Sequence, residues 1–122
     1  MRLLLDEHVD PAVAGGISAP VNVEVVALRD WEQGAYLNVQ DGMLLRAAYD
    51  GGWTLVTYDQ RTIRPLLKDW GDRSRPHGGV IFVDDHALAP NDVGGLIRSL
   101  RRLIAQLGDV SWEDRVVYLS RA

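Results

Sequence analysis

Apolar residues in this chain gather in short continuous runs. RLLL (2–5), VEVVAL (23–28), WTLVT (53–57), VIFV (80–83) and RVVYL (115–119) are rich in Val, Leu and Ile, and each predicts a strand. Most lack the apolar–polar alternation of a half-exposed strand. Continuous runs predict strands covered on both faces, as in a parallel sheet. Between them the period becomes helical. Asp10-Pro11 followed by AVAGGI predicts a short helix with Pro11 in its first turn, weakened by Gly15 and Gly16. VQDGMLLRAAYDGG predicts a helix over 40–50 that stops at Gly51, and the stretch from Thr62 to Trp70 predicts another. The clearest helix is 92–107, where Val93, Leu96, Ile97, Leu100, Leu103, Ile104 and Leu107 keep the i, i+3, i+4, i+7 spacing. Asn91 is placed to cap it, Asp92 suits its positive end, and Gly108 ends it.

Strand and helix thus alternate along the whole chain. The expected fold is α/β, a three-layer α/β/α sandwich with a mainly parallel sheet of five strands. No repeat, low-complexity tract or internal boundary interrupts the pattern, so a single domain over 1–122 is expected.

Composition narrows the chemistry. There is no cysteine, which excludes disulfides, iron–sulfur clusters and thiolate zinc sites and favours a cytoplasmic location. No apolar run approaches the length of a membrane span, and the opening apolar run is too short for a signal peptide, so no membrane association is expected. The 17 acids exceed the 13 Lys and Arg, which argues against a protein that coats nucleic acid through general basicity. It leaves a nuclease open, because a metal neutralises a carboxylate cage and local basic patches can hold phosphate. The bases are clustered: Arg98, Arg101 and Arg102 form one group, and Arg61, Arg64 and Lys68 another. The first group is expected to be the solvated face of its helix.

In an open α/β sheet, ligands bind outside the carboxyl ends of the strands. Asp6, Glu7 and His8 follow the first strand, Arg29 and Asp30 the second, Tyr58 and Asp59 the third, and Asp84, Asp85 and His86 the fourth. Asp41 opens its helix and can reach the same rim if that helix packs beside the first strand. Any one of these acids suits a cap or turn, and Asp41 is as good a helix cap as a ligand. Asp6 and Asp59 each follow an apolar strand with no obvious capping box, which points to a site. Acids converging on one edge repel one another unless a cation holds them, and hard oxygen ligands suit Mg²⁺ or Mn²⁺. Such an ion can activate water and stabilise in-line displacement at phosphorus. His8 and His77 are expected to be bystanders, with His77 at the opposite rim, and the four tryptophans are expected to be packing residues.

With these acids in view, the chain resembles the small stand-alone PIN-like proteins of the DUF5615 group. The likeness covers residues 1–105 and rests on LLLDEH, VQDGMLLRAA, LVTYDQRTI and GGVIFVD in that order. It implies a metal-dependent ribonuclease, often the toxin of a type II toxin–antitoxin pair. Its partners would be an RNA substrate, a cognate antitoxin that covers the acidic rim, and a second copy of the chain in a homodimer. Asp6, Asp41 and Asp59 then match the metal-binding acids. Thr57 matches a residue that orients the site, and Glu7 the second acid of the opening motif. The family's pattern commonly continues T-x-D-x-D-F, but this chain has Thr57-Tyr58-Asp59-Gln60-Arg61-Thr62. Arg61 stands where a fourth acid would be, which weakens a second metal position and offers a phosphate contact instead. Asp84 could supply the missing charge from the neighbouring strand.

Two other readings stay open. One is a PIN-like binding module that has lost activity, supported by Arg61. The other is a receiver-type phospho-acceptor domain, which the length and the acids after the first and third strands suit. Against that reading, such domains resemble one another in carrying a lysine at the end of the fifth strand. Here RVVYL is followed by Ser120, Arg121 and Ala122.

Overall fold

A computed structural model describes residues 1–17 and 23–122. The sheet has five strands, β1 (Arg2–Leu5), β2 (Glu24–Ala27), β3 (Thr54–Thr57), β4 (Val80–Val83) and β5 (Val116–Leu119), in the order β2-β1-β3-β4-β5. Every neighbouring pair is parallel. The helices are α1 (Ala12–Gly16), α2 (Asp41–Asp50), α3 (Gln60–Asp72) and α4 (Val93–Leu107). The expected sandwich is present, and its sheet is wholly parallel.

The continuous apolar runs follow from having two cores. Successive side chains of a strand point to opposite faces. Leu3 and Leu5 of β1, Val56 of β3, and Ile81 and Val83 of β4 join Val13 of α1 and Leu96, Leu100 and Leu103 of α4 in one core. Leu4, Leu55, Val80 and Phe82 point the other way and meet Leu44 and Leu45 of α2 and Ile63 and Trp70 of α3. A strand with a core on each side has no polar position to spare, so alternation disappears from the sequence.

Several local expectations shift. A turn over Trp31–Gly34, in which Glu32, Gln33 and Gly34 take positive φ and which the periodicity does not announce, seats Trp31 in the second core. α3 begins earlier than the apolar spacing suggests, because Asp59 caps it, and it runs two residues past Trp70 to Asp72. α4 is capped by Asp92 rather than Asn91: the Asp92 carboxylate accepts from the Gly95 N–H at 3.0 Å, while Asn91 is exposed. Gly16, which weakens α1 by propensity, has a packing reason. A β-carbon there would collide with Ile97, so the glycine lets α1 lie close against α4. Trp31, Trp53, Trp70 and Trp112 are all buried, as expected of packing residues. No helix among the described residues is long and apolar enough to cross a membrane.

Candidate functional site

The chain reverses its direction of strand addition between β1 and β3, since β2 lies on one side of β1 and β3, β4 and β5 follow on the other. Such a switch point opens a crevice at the carboxyl ends of the two strands. Asp6 leaves β1 there, its N–H still donating to the Val56 carbonyl of β3 at 2.9 Å. Thr57, fully buried, closes β3 beside it.

The two are joined directly. The Thr57 hydroxyl donates to Asp6 Oδ2 at 2.7 Å, and the Glu7 N–H donates to Asp6 Oδ1 at 2.8 Å. Each oxygen of Asp6 is thereby held, which fixes the carboxylate against the sheet edge. Thr57 Oγ1 in turn accepts from the Asp59 N–H at 3.0 Å. Asp59 Oδ1 accepts from the Thr62 N–H at 3.0 Å, the N-cap bond of α3. The Thr62 hydroxyl lies within hydrogen-bonding distance of Asp59 Oδ2 and of Asp41 Oδ2, the latter at 2.8 Å. A line of hydrogen bonds therefore runs Asp6–Thr57–Asp59–Thr62–Asp41, linking β1, β3, α3 and α2.

This geometry revises two expectations. Asp59 is a helix cap after all, in addition to its place in the line. Asp41 is not one: Gln40 holds the cap position without a side-chain bond, and Asp41 turns its carboxylate to Thr62. Thr62 is the residue the sequence reading missed. Its signal is its spacing, three positions after Asp59, where an N-cap carboxylate meets the backbone N–H of a first-turn residue.

The groups at this edge present an oxygen donor set of the kind a hard divalent cation takes. A hydroxyl carries one proton, so Thr62 can donate to Asp41 or to Asp59 but not to both. Two carboxylate oxygens thus converge on one hydroxyl that can satisfy only one of them, an arrangement with room for a cation between them. The ligand atoms are all oxygens, which suits Mg²⁺ or Mn²⁺. The grouping is open, however. Among the described residues, the set of acids and imidazoles whose ligand atoms all lie within 4.8 Å of one another is Asp84, Asp85 and His86, not the three site acids. That set consists of three exposed neighbours in one turn, in which the Asp84 carboxylate accepts from the His86 N–H at 2.9 Å.

The second-tier residues surround the line unevenly. Glu7 is exposed, with its carboxylate 3.9 Å from His8 Nε2. Arg61 and Asp84 share a cleft of about 250 Å³ with Asp59 and Asp85, between the ends of β3 and β4. Asp59 therefore stands between two flanks, Asp6 and Asp41 on one side and Asp84 and Arg61 on the other. Tyr58, also in this cleft, keeps its hydroxyl protonated at neutral pH. Burial, with Asp85 and Asp92 nearby, pushes its hydroxyl up to about 12, and that hydroxyl donates to the Leu88 carbonyl at 2.8 Å.

His77 lies before β4 at the amino edge, away from the acids, as expected. It is buried, and its Nδ1 accepts from the Gly79 N–H at 3.0 Å. A larger concavity, about 850 Å³, lies on the α2/α3 face and is lined by Gln40 and Gly42, the neighbours of Asp41, but not by Asp6, Asp41 or Asp59. Its cations are engaged: the Arg2 guanidinium sits 4.0 Å over Trp53, Arg75 sits 4.4 Å over Trp70, and Arg46 pairs with Asp50 at 3.2 Å. It reads as packing between helices. In comparisons with known proteins, the chain matches no family model, no curated protein and no solved structure, so any function has to be argued from these residues.

Proposed function

We propose that this protein is a Mg²⁺- or Mn²⁺-dependent endoribonuclease whose site acids are Asp6, Asp41 and Asp59. The observation that carries the reading is the line of hydrogen bonds through Thr57 and Thr62, which gathers carboxylates from positions 6, 41 and 59 at the switch point of the sheet. Asp41 and Asp59 would hold the ion, with Asp6 completing the set from the end of β1. When bound, the ion supplies Lewis acidity and offsets negative charge on the acids and on a phosphodiester. Thr57 keeps Asp6 oriented. Arg61, exposed and at the mouth of the neighbouring cleft, holds a phosphate, and Asp84 adds negative charge from the β4 side.

RNA as substrate, a cognate antitoxin and a homodimer follow from the resemblance to PIN-like toxins. A cytoplasmic location accords with a chain that has no cysteine. The test is cleavage of a labelled single-stranded RNA by the purified chain with Mn²⁺. Cleavage that EDTA abolishes, and that Asp6→Asn protein prepared in parallel lacks, supports the reading. Folded, partner-free protein that leaves the RNA intact overturns it.

The receiver-type reading has one observation in its favour, since strand order 2-1-3-4-5 is shared with doubly wound phospho-acceptor domains. It lacks a lysine at the rim: Lys68 lies on α3, paired with Asp72 at 3.0 Å. Stable beryllofluoride binding at Asp59 would restore that reading and displace the nuclease.

A further inference from the structure

The second basic group of the sequence, Arg61, Arg64 and Lys68, falls on one side of α3 and faces the edge strand β5. Between them runs a groove of about 660 Å³. Its floor is apolar, with Phe82 beneath and Val116 and Tyr118 alongside. β5 is the last strand of the sheet, so nothing covers its outer side among the described residues. Val116 is 42% exposed and Tyr118 is 51% exposed, unusual values for residues on a strand. No acid lines the groove. Lys68 pairs with Asp72 outside it, but Arg61 and Arg64 have no ion-pair partner among the described residues. Arg64 instead lies 6.0 Å from the centre of the Tyr118 ring.

Two features set this groove apart from the larger concavity on the α2/α3 face. Its two arginines are not neutralised by carboxylates, and it is continuous with the cleft that holds Asp59 itself. Gln60 and Arg61 line both this groove and the cleft of Asp59 and Asp84. An anionic chain seated here would pass from the unpaired arginines, by way of Gln60 and Arg61, to the cleft of Asp59 and Asp84.

We propose that the α3/β5 groove holds single-stranded RNA running to the acid cluster, with phosphates on Arg61 and Arg64 and a base stacked on Tyr118. The choice of occupant rests on the nuclease reading above. It also rests on chemistry: unpaired cations interleaved with an exposed aromatic ring suit a strand that offers phosphates and bases alternately. An acidic peptide would use the cations but would have no use for the exposed part of the Tyr118 ring, whose other contact is the Phe82 ring at 5.4 Å.

The test measures binding apart from cutting. Anisotropy of a fluorescein-labelled oligouridylate of about twelve nucleotides is followed with the full chain in EDTA. Tyr118→Ala weakens binding about tenfold, Tyr118→Phe restores it, and neither changes the salt dependence. Arg64→Ala weakens binding and lowers the slope of log K against log salt by about 0.7, the share of one phosphate contact on a single strand. Arg98→Glu, on the exposed face of α4, leaves binding unchanged. All these positions are exposed, and circular dichroism confirms that the variants fold. Groove variants that bind like the wild type overturn the proposal. So does an oligouridylate that fails to bind where a polyglutamate peptide succeeds. Cleavage with Mn²⁺ is scored separately. Groove-dependent binding without cleavage upholds the groove and removes the nuclease reading, whereas cleavage with groove-independent binding does the reverse.

Discussion

Asp84, Asp85 and His86 bring three potential ligands within 4.8 Å of one another, and Asp6, Asp41 and Asp59 do not. By closeness alone the first group is the better metal site. Its closeness, however, comes free with adjacency in the chain, since three consecutive residues in a turn cannot be far apart. All three are exposed, and only Asp84 is held, by a bond inside its own turn. The second group is assembled from residues 35 and 18 positions apart in the sequence (41 − 6 and 59 − 41). It needs β1 paired with β3, α2 beside α3, and two threonines at the joints. Proximity that folding has to build says more about a site than proximity that covalent connection supplies.

The contrast can be broken by substitution. Asp6→Ala should lower Mn²⁺-dependent RNA cleavage by more than about 100-fold, beyond the range of changes made around a ligand rather than at it. Asp85→Ala should leave it essentially unchanged. If the two effects were reversed in a cleavage assay, the turn after β4 would be the site. The joints come next. Thr57→Val keeps the shape of a buried residue and removes the donor to Asp6 Oδ2, so it should cost about 10–100-fold in activity. Its cost in stability should be about 1 kcal/mol by urea unfolding.

Asp59 allows a finer cut, because capping and ligation ask different things of it. Asn caps a helix about as well as Asp, whereas Ala leaves the first turn unsatisfied. Asp59→Asn should therefore keep its stability and lose Mn²⁺ affinity in calorimetry. Asp59→Ala should lose the affinity and also about 1 kcal/mol of stability. Equal Mn²⁺ binding by wild type and Asp59→Asn would leave Asp59 with its cap role alone.

The smallest effect belongs to the scaffold at the opposite edge. Burial holds His77 below its ordinary value of 6.5, against the opposing charge of Asp114. Its Nδ1 already serves as an acceptor for Gly79. Because the folded value is the lower one, the unfolded chain takes up this proton first as pH falls. The stability due to a neutral His77 is complete above about pH 6.5 and declines as pH drops from there towards the folded value. Urea midpoints at about pH 7.5 and about pH 5.5 should differ less for His77→Gln than for the wild type.

Much of this architecture can be read from residue order. Runs such as VIFV announce strands buried on two faces, and the positions after them are where acids gather in a parallel fold. The positions of Asp6 and Asp59 at strand ends are legible for that reason, and Arg61 and Asp84 share a cleft with Asp59. What the sequence conceals is how the acids are connected. Thr62 looks like an ordinary first-turn threonine until α2 and α3 are packed side by side, because its partner Asp41 is 21 residues away. Asp59 looks free of capping duty because Gln60 and Arg61 carry no apolar signal to mark where the helix begins. The choice of Asp92 over Asn91 as the cap of α4 is equally local, decided by which side chain reaches the Gly95 N–H.

The position of β1 has a consequence for how the molecule comes into being. β1 is a central strand, made of the first residues of the chain, and its partners are β2 and β3. Leu5 pairs with Ala27 on one side and with Val56 on the other, so no ladder of the sheet is local. Sheets built from such distant pairings fold slowly, because a large loop must close before any strand pair rewards it. During synthesis Leu3, Leu4 and Leu5 wait exposed until residues beyond Thr57 have emerged. The strand that carries Asp6 thus precedes both of its partners in the chain, and its three leucines are in need of protection from aggregation until those partners are made.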